Sequence, residues 1–312
     1  MIEPAFKMAL PNLVIAGAPK CGTSSLFGWL ADHPQVCGAR SKETFYLMDP
    51  GHPISRPEGT WHQHGLDGYR RWFDGQDRPG ARVWLEATTH YLYQETAPRV
   101  LAALDPVPDI VFVLRRPADR VYSSFQYTRN NLAALRPDTT LAEYLALDAD
   151  DSGNIVSGPR WRGSIPLWRS EVDLSCYARH LERWARLFPR EKLHIVLLED
   201  LTRDPRGTLQ SLARSVGIDE GFYAEYPFVR RNESYQVRSH RLHELGWQIS
   251  RRLPRMRLRT YLRDAYLRLA TRKPSGLRDD DAAVLRDLDA FFVPHNERLA
   301  REFGVDLRAW ER

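Results

Sequence analysis

The stretch that most constrains this chain is LVIAGAPKCGTSSL, Leu13 to Leu26, an apolar run broken by glycine and resumed by small hydroxyl residues. A buried strand that turns through Gly17 and Gly22 into a helix starting at Thr23 aims backbone N–H groups and a helix dipole at one point, an arrangement that binds phosphate. The nucleotide-hydrolase form of such a loop, G-x-x-x-x-G-K-[ST], places its lysine directly after the second glycine. Here Thr23 follows Gly22, and the lysine is Lys20, two positions before that glycine. The loop therefore offers an anion one charge, Lys20, and three hydroxyls, Thr23, Ser24 and Ser25. Cys21, inside the turn, reads as a small residue that fits a tight bend.

Further apolar runs at Val83 to Glu86, Ile110 to Leu114 and Leu193 to Leu198 read as buried strands beside Leu13 to Ala16. Helical stretches alternate with them: Thr23 to Ala31, Ala97 to Leu104, Ala118 to Arg129 and Tyr177 to Leu187. This alternation predicts an α/β fold, P-loop-like and three-layered, with a central parallel sheet flanked by helices and ligands at the carboxyl ends of the strands. After Leu198 the pattern turns mostly helical, at Pro205 to Val216, His240 to Arg252, Arg257 to Thr271 and Asp281 to Phe303. One domain over residues 1–312 is expected, interrupted by two irregular insertions, about 49–80 and 136–170, rich in Gly, Pro, His and Trp. Long insertions of this kind commonly face substrate.

Composition narrows the function. The chain of 312 residues is 43% hydrophobic and 27% charged, and no apolar run is long enough to span a bilayer, so no stable membrane insertion is expected. Met1-Ile2-Glu3-Pro4 lacks a basic segment leading into an apolar one, which predicts a cytoplasmic protein without a secretory signal. Three cysteines, Cys21, Cys37 and Cys176, form neither a disulfide framework nor a metal pattern. The net charge of +5 conceals a basic block from Arg230 to Lys273 with thirteen basic and three acidic residues. Such a block can be a solvated helical face, a partner surface or an anion site.

A second anion signal follows the third strand, in LRRPADRVYSSF. Arg115 ends the strand, where a guanidinium can grip a phosphate bidentately, and Ser123 stands eight residues on, in the next helix. Two anion sites at two strand ends suggest a ligand with phosphates in two places.

GAPKCGTSSL resembles the 5'-phosphosulfate loop of sulfotransferases that use 3'-phosphoadenosine 5'-phosphosulfate (PAPS), and LRRPADRVYSSF resembles their 3'-phosphate motif. The likeness is strongest to the heparan-type branch and its bacterial relatives. It extends through SKETFYL (Ser41 to Leu47), LEATTHYLYQETAPRVLAAL (Leu85 to Leu104), LLEDLTRDPRGTL (Leu197 to Leu209) and FFVPHNERLAREFGVDLRAW (Phe291 to Trp310).

The resemblance implies transfer of a sulfuryl group from PAPS to a hydroxyl or amine, with adenosine 3',5'-bisphosphate (PAP) as product and no metal. It implies that Lys20 stabilises charge on the departing phosphate. By the same resemblance Lys20, Cys21, Gly22, Thr23, Ser24 and Ser25 hold the 5' end, and Arg115 and Ser123 the 3'-phosphate. Arg238, Arg272 and Lys273, within the basic block, are further candidates for closing over the nucleotide. Glu43 matches the position of the family's general base. The branch usually carries E-K-[ST] where this chain has Glu86-Ala87-Thr88, so Ala87 removes a cation. His90, two positions past Thr88, is a second candidate for acid/base work, because an unperturbed imidazole titrates near neutral pH.

Two other readings of the residues stay open: a P-loop kinase or related nucleoside-triphosphate enzyme, and a non-catalytic polyanion binder using the basic block. For the enzyme, the acceptor is a small molecule, a lipid or a saccharide, met between the two insertions, and no nucleic acid is expected as partner. Oligomeric state is not legible in the sequence.

Overall fold

The computed structural model describes residues 10–55, 59–76, 78–132, 134–136, 138–148, 171–229, 236–237, 271–272 and 278–311. Internal contacts divide the chain into two compact units, one made of Met1–Arg116, Cys176–Asn232 and Phe292–Arg312, the other of Pro117–Ser175 and Glu233–Phe291.

The first unit is built on a five-stranded sheet: β1 (Leu13–Gly17), β2 (Val36–Gly38), β3 (Val83–Glu86), β4 (Asp109–Leu114) and β5 (Leu193–Leu197), in the order β2-β3-β1-β4-β5. All four neighbouring pairs are parallel. The expected α/β architecture is thus present, and β1 lies at its centre because every residue from Leu13 to Gly17 is buried. A strand with no exposed face must be covered on both sides, which suits its run of Leu, Val, Ile and Ala.

Helices follow the strands in the first unit: α1 (Thr23–Ala31), α2 (Trp61–Arg70) and α3 (Thr96–Ala102). α2 falls inside the insertion at 49–80, where Thr60 and Gln63 form a reciprocal capping box. The second unit contains α4 (Pro117–Gln126), a π-helical turn at Tyr127–Asn131, α5 (Leu141–Asp148) and α6 (Glu171–Leu174). The chain returns to the first unit with α7 (Tyr177–Ala185), then α8 (Leu198–Arg203) and α9 (Pro205–Val216) after β5. The last strand is shorter than the sequence predicts, since Leu198 opens α8 instead of closing β5. α9 has local signals at both ends: the Asp204 carboxylate accepts from the Gly207 amide, Pro205 starts the helix, and Gly217 ends it at φ 75°.

In the second unit β6 (Gln236–Val237) and β7 (Thr271–Arg272) form an antiparallel ribbon, so Thr271 belongs to a strand and not to the end of a helix. The helix expected at His240 to Arg252, and all of the one expected at Arg257 to Thr271 except Thr271 itself, lie outside the described residues. α10 (Asp279–Phe303) begins in the second unit and ends in the first.

A buried ion pair anchors the second unit. Arg120 Nη1 donates to Glu171 Oε2 at 2.7 Å and to Ser175 Oγ at 2.9 Å, while Ser124 Oγ donates to Glu171 Oε1 at 2.7 Å. Both carboxylate oxygens are therefore satisfied, as a buried charge requires.

Candidate active site

The loop between β1 and α1 bends through two left-handed residues, Lys20 at φ 69° and Gly22 at φ 80°. The first is uncommon for a residue with a β-carbon, and backbone held in this region is a mark of sites that grip ligands. Gly22 has a second reason to lack a side chain, because a β-carbon there would stand 2.5 Å from Leu198 Cδ1. The Ala18 amide donates to the Val113 carbonyl at 2.8 Å, fastening the loop to β4. Gly22 caps α1, and Thr23, Ser24 and Ser25 fill its first turn. Cys21 is fully buried, with Sγ 3.8 Å from the Tyr177 hydroxyl, and the same hydroxyl donates to the Arg115 carbonyl at 2.8 Å. Tyr177 thereby links the loop to the residue that follows β4.

The segment after β2 crosses beside this loop. Lys42 Nζ donates to Thr23 Oγ1 at 3.2 Å and stands 3.5 Å from Glu43 Oε1. Glu43 Oε1 also accepts from Thr89 Oγ1 at 3.0 Å, at the start of a 3-10 turn, Thr89–Tyr93. His90 lies on the same turn, its ring centroid 6.3 Å from that of Phe45 and 6.4 Å from that of Tyr93. Burial pulls the Lys42 ammonium below its ordinary pKa, against the opposing pull of Glu43.

Beneath Glu43 runs a buried network. Glu86, at the end of β3, is fully buried and accepts from Thr44 Oγ1 at 2.8 Å, Thr88 Oγ1 at 2.5 Å and the Tyr69 hydroxyl at 2.8 Å. Burial raises its carboxyl pKa, and the hydroxyl donors work in the opposite direction. Thr88 Oγ1 in turn accepts the amides of Thr44 and Phe45 at 3.0 and 3.1 Å. The glutamate expected to act is followed directly by residues pinned to the sheet.

Of the residues singled out from sequence, Lys20, Cys21, Gly22, Thr23, Ser24, Ser25, Glu43, His90 and Arg115 all belong to the first unit. Ser123 lies on α4 in the second unit, half-buried, next to the buried Ser124. Arg272 lies in β7. Arg238 and Lys273 lie outside the described residues. Lys42, which no motif singles out, stands in SKETFYL one residue before Glu43.

Glu199 stands in α8 just past β5, where a nucleoside-triphosphate enzyme can carry a carboxylate for its metal, and here it is bound into the fold. Its Oε1 accepts from the Arg116 amide at 3.1 Å and its Oε2 from Trp310 Nε1 at 2.9 Å.

The arrangement brings a left-handed strand-to-helix loop with three hydroxyls beside a carboxylate. A family model described as "Sulfotransferase domain" matches residues 10–226, which contain β1 to β5 and the whole loop-and-carboxylate cluster. The chain is 27% identical over 315 residues to human heparan sulfate glucosamine 3-O-sulfotransferase 3B1, covering 97% of this chain and 65% of that protein. It is 28% identical over 209 residues to mouse bifunctional heparan sulfate N-deacetylase/N-sulfotransferase 1, covering 67% of this chain. It spans only 22% of the length of that second relative. A crystal structure of a sulfotransferase from Alicyclobacillus acidocaldarius superposes with a TM-score of 0.65 at 23% identity, covering 97% of this chain and 100% of that one, and so shares the fold.

Proposed function

We propose that this chain, which belongs to the sulfotransferase domain family, transfers a sulfuryl group from PAPS to a hydroxyl or amine of a small-molecule, lipid or saccharide acceptor. The observation that carries the reading is the meeting of the anion loop with Glu43, through Lys42 on Thr23 and on the Glu43 carboxylate. A phosphate grip and a carboxylate base within one cluster suit group transfer between a bound anion and an acceptor that must lose a proton.

The residues present fit the donor. The left-handed turn at Lys20 and Gly22 and the first turn of α1 make a cradle for the phosphosulfate, with Thr23, Ser24 and Ser25 as hydroxyl donors. When bound, PAPS supplies an activated sulfonate and a phosphate leaving group. Lys20 places a cation in that cradle, where charge on the leaving phosphate is stabilised at low reorganisation cost. Glu43, oriented by Thr89, takes the acceptor proton. Arg115, just past β4, offers a guanidinium for the 3'-phosphate. His90 is the alternative proton acceptor on the same turn as Thr89.

A nucleoside-triphosphate enzyme is disfavoured by two observations: the residue after Gly22 is Thr23 instead of lysine, and Glu199 is engaged by Arg116 and Trp310. Calorimetric titration with PAP, with ADP and with ATP plus magnesium, on the wild type and on Arg115→Ala, tests the assignment. Selective binding of PAP that weakens in the variant supports it and opens an acceptor screen with radiolabelled PAPS. Preference for ATP with magnesium, or no binding of any nucleotide, sinks it.

A further inference from the structure

Lys42 has no part in the roles assigned above, yet its ammonium holds the most informative position in the cluster. Nζ lies 3.2 Å from Thr23 Oγ1, the first hydroxyl of α1, and 3.5 Å from Glu43 Oε1. A group passing from a donor in the loop to an acceptor facing Glu43 must cross the space between those two residues, and Lys42 is the cation that already borders it.

We propose that Lys42 is the second cation of the transfer site and that its ammonium contacts the sulfonate of the bound donor. The inference rests on the donor assignment made under the proposed function. An ammonium has three N–H donors, and Thr23 and Glu43 account for two of them. The third is available to a sulfonate oxygen. Because an ammonium can only donate, its bond to Thr23 Oγ1 occupies a lone pair of that oxygen and turns the Thr23 hydroxyl proton away from Lys42, so Thr23 can donate to an anion in the loop.

Burial disfavours the charged form of Lys42, so an anion beside it would stabilise that charge. The side chain is 24% exposed, which leaves it accessible from one side. Position 87, bonded to the Lys42 backbone, contributes no charge: Ala87 is fully buried, and its amide donates to the Lys42 carbonyl at 3.0 Å. The positive charge at this edge of the cluster is supplied by the segment after β2 and not by the segment after β3.

PAPS and PAP differ at the sulfonate, so their comparison isolates the contact. The experiment measures the affinity of both for the wild type, Lys42→Met and Lys42→Arg by calorimetry without acceptor. Lys42→Met is expected to bind PAPS about tenfold more weakly, a loss of about 1.4 kcal/mol, while its PAP affinity stays within about twofold of wild type. Lys42→Arg, which keeps the charge, should recover most of the PAPS affinity. Equal weakening of both ligands would reduce Lys42 to a prop for the loop and overturn the proposal, as would unchanged PAPS affinity in Lys42→Met. Wild-type protein that binds neither ligand would instead overturn the donor assignment itself. Should Lys42→Met fail to fold, as judged by its circular dichroism melt, the milder Lys42→Gln carries the same comparison.

Discussion

Thr89 Oγ1 donates to Glu43 Oε1 at 3.0 Å, joining residues 46 positions apart in the chain. The bond ties the carboxylate to the 3-10 turn that follows β3 and so sets its direction. Thr89→Val keeps the branched shape and removes the donor. Sulfuryl transfer is expected to slow about tenfold, with PAP affinity unchanged, because one charge-assisted hydrogen bond of orientation is lost. Glu43→Gln, which removes the base itself, is expected to cost about 100-fold or more. Label transfer from PAPS to an acceptor found by the screen reads both. A Glu43→Gln enzyme with wild-type turnover would move the base to His90.

Gly22→Ala tests the loop conformation. The clash with Leu198 is with a terminal methyl that can move aside, so backbone conformation decides the cost. At φ 80° an alanine should destabilise the protein by about 1 to 2 kcal/mol. Thermal melts should show that loss together with weaker PAP binding; a variant with native stability would mean that the turn relaxes freely.

Arg120 and Glu171 are each at most 5% exposed, and breaking such a pair strands a charge. Arg120→Met is expected to cost about 3 to 5 kcal/mol in urea unfolding, and the double variant Arg120→Met with Glu171→Leu should recover a large part of it. Equal losses in single and double variants would show that packing, and not the stranded charge, dominates.

The foot of β4 should make stability depend on pH. Burial alone would raise the Asp109 carboxyl, but hydrogen bonds from His194 at 2.8 Å and Lys192 at 2.9 Å outweigh it and hold the group below its ordinary 3.8. A depressed native pKa means that near and below 3.8 the unfolded chain binds more protons than the native one. The contribution is therefore present above that value and lost as pH falls through the native pKa. Asp109→Asn should be less stable than wild type by about 1 to 3 kcal/mol at neutral pH, and the gap should narrow below about pH 4. Urea titrations at the two pH values measure it; a gap that persists in acid would exclude titration of Asp109 as its source.

The parts of this fold that sequence disclosed are those whose causes are local. α1 begins at Thr23 because Gly22 precedes it, and α9 runs from Pro205 to Val216 between an aspartate cap and a glycine stop. β2 escaped notice because three residues, Val36 to Gly38, carry too short a pattern, and its place at the sheet edge depends on pairing with Val83 to Leu85. α2 had a readable signal, Thr60 and Gln63 at capping-box spacing, hidden among glycines and histidines that suggest irregular chain. In the candidate site, Glu43 is legible through its motif, whereas Lys42 is not, because the family's pattern points to a cation at position 87. No spacing rule reveals that a lysine 19 positions past Thr23 folds back onto its hydroxyl. That contact depends on how the chain leaves β2, a tertiary fact.

The carboxylate of Glu86 gathers Thr44, next to the proposed base, Thr88, two residues past the end of β3, and Tyr69, from the helix inside the 49–80 insertion. For anyone exchanging the 49–80 insertion, the expected acceptor wall, this limits what can be replaced. A graft replacing residues 50–80 with a wall of different shape removes the phenol of Tyr69 along with the rest, and leaves a fully buried carboxylate one donor short, beside the residue that follows Glu43. The transplanted segment must bring a hydroxyl back to that place, or Glu86 must be neutralised at the same time.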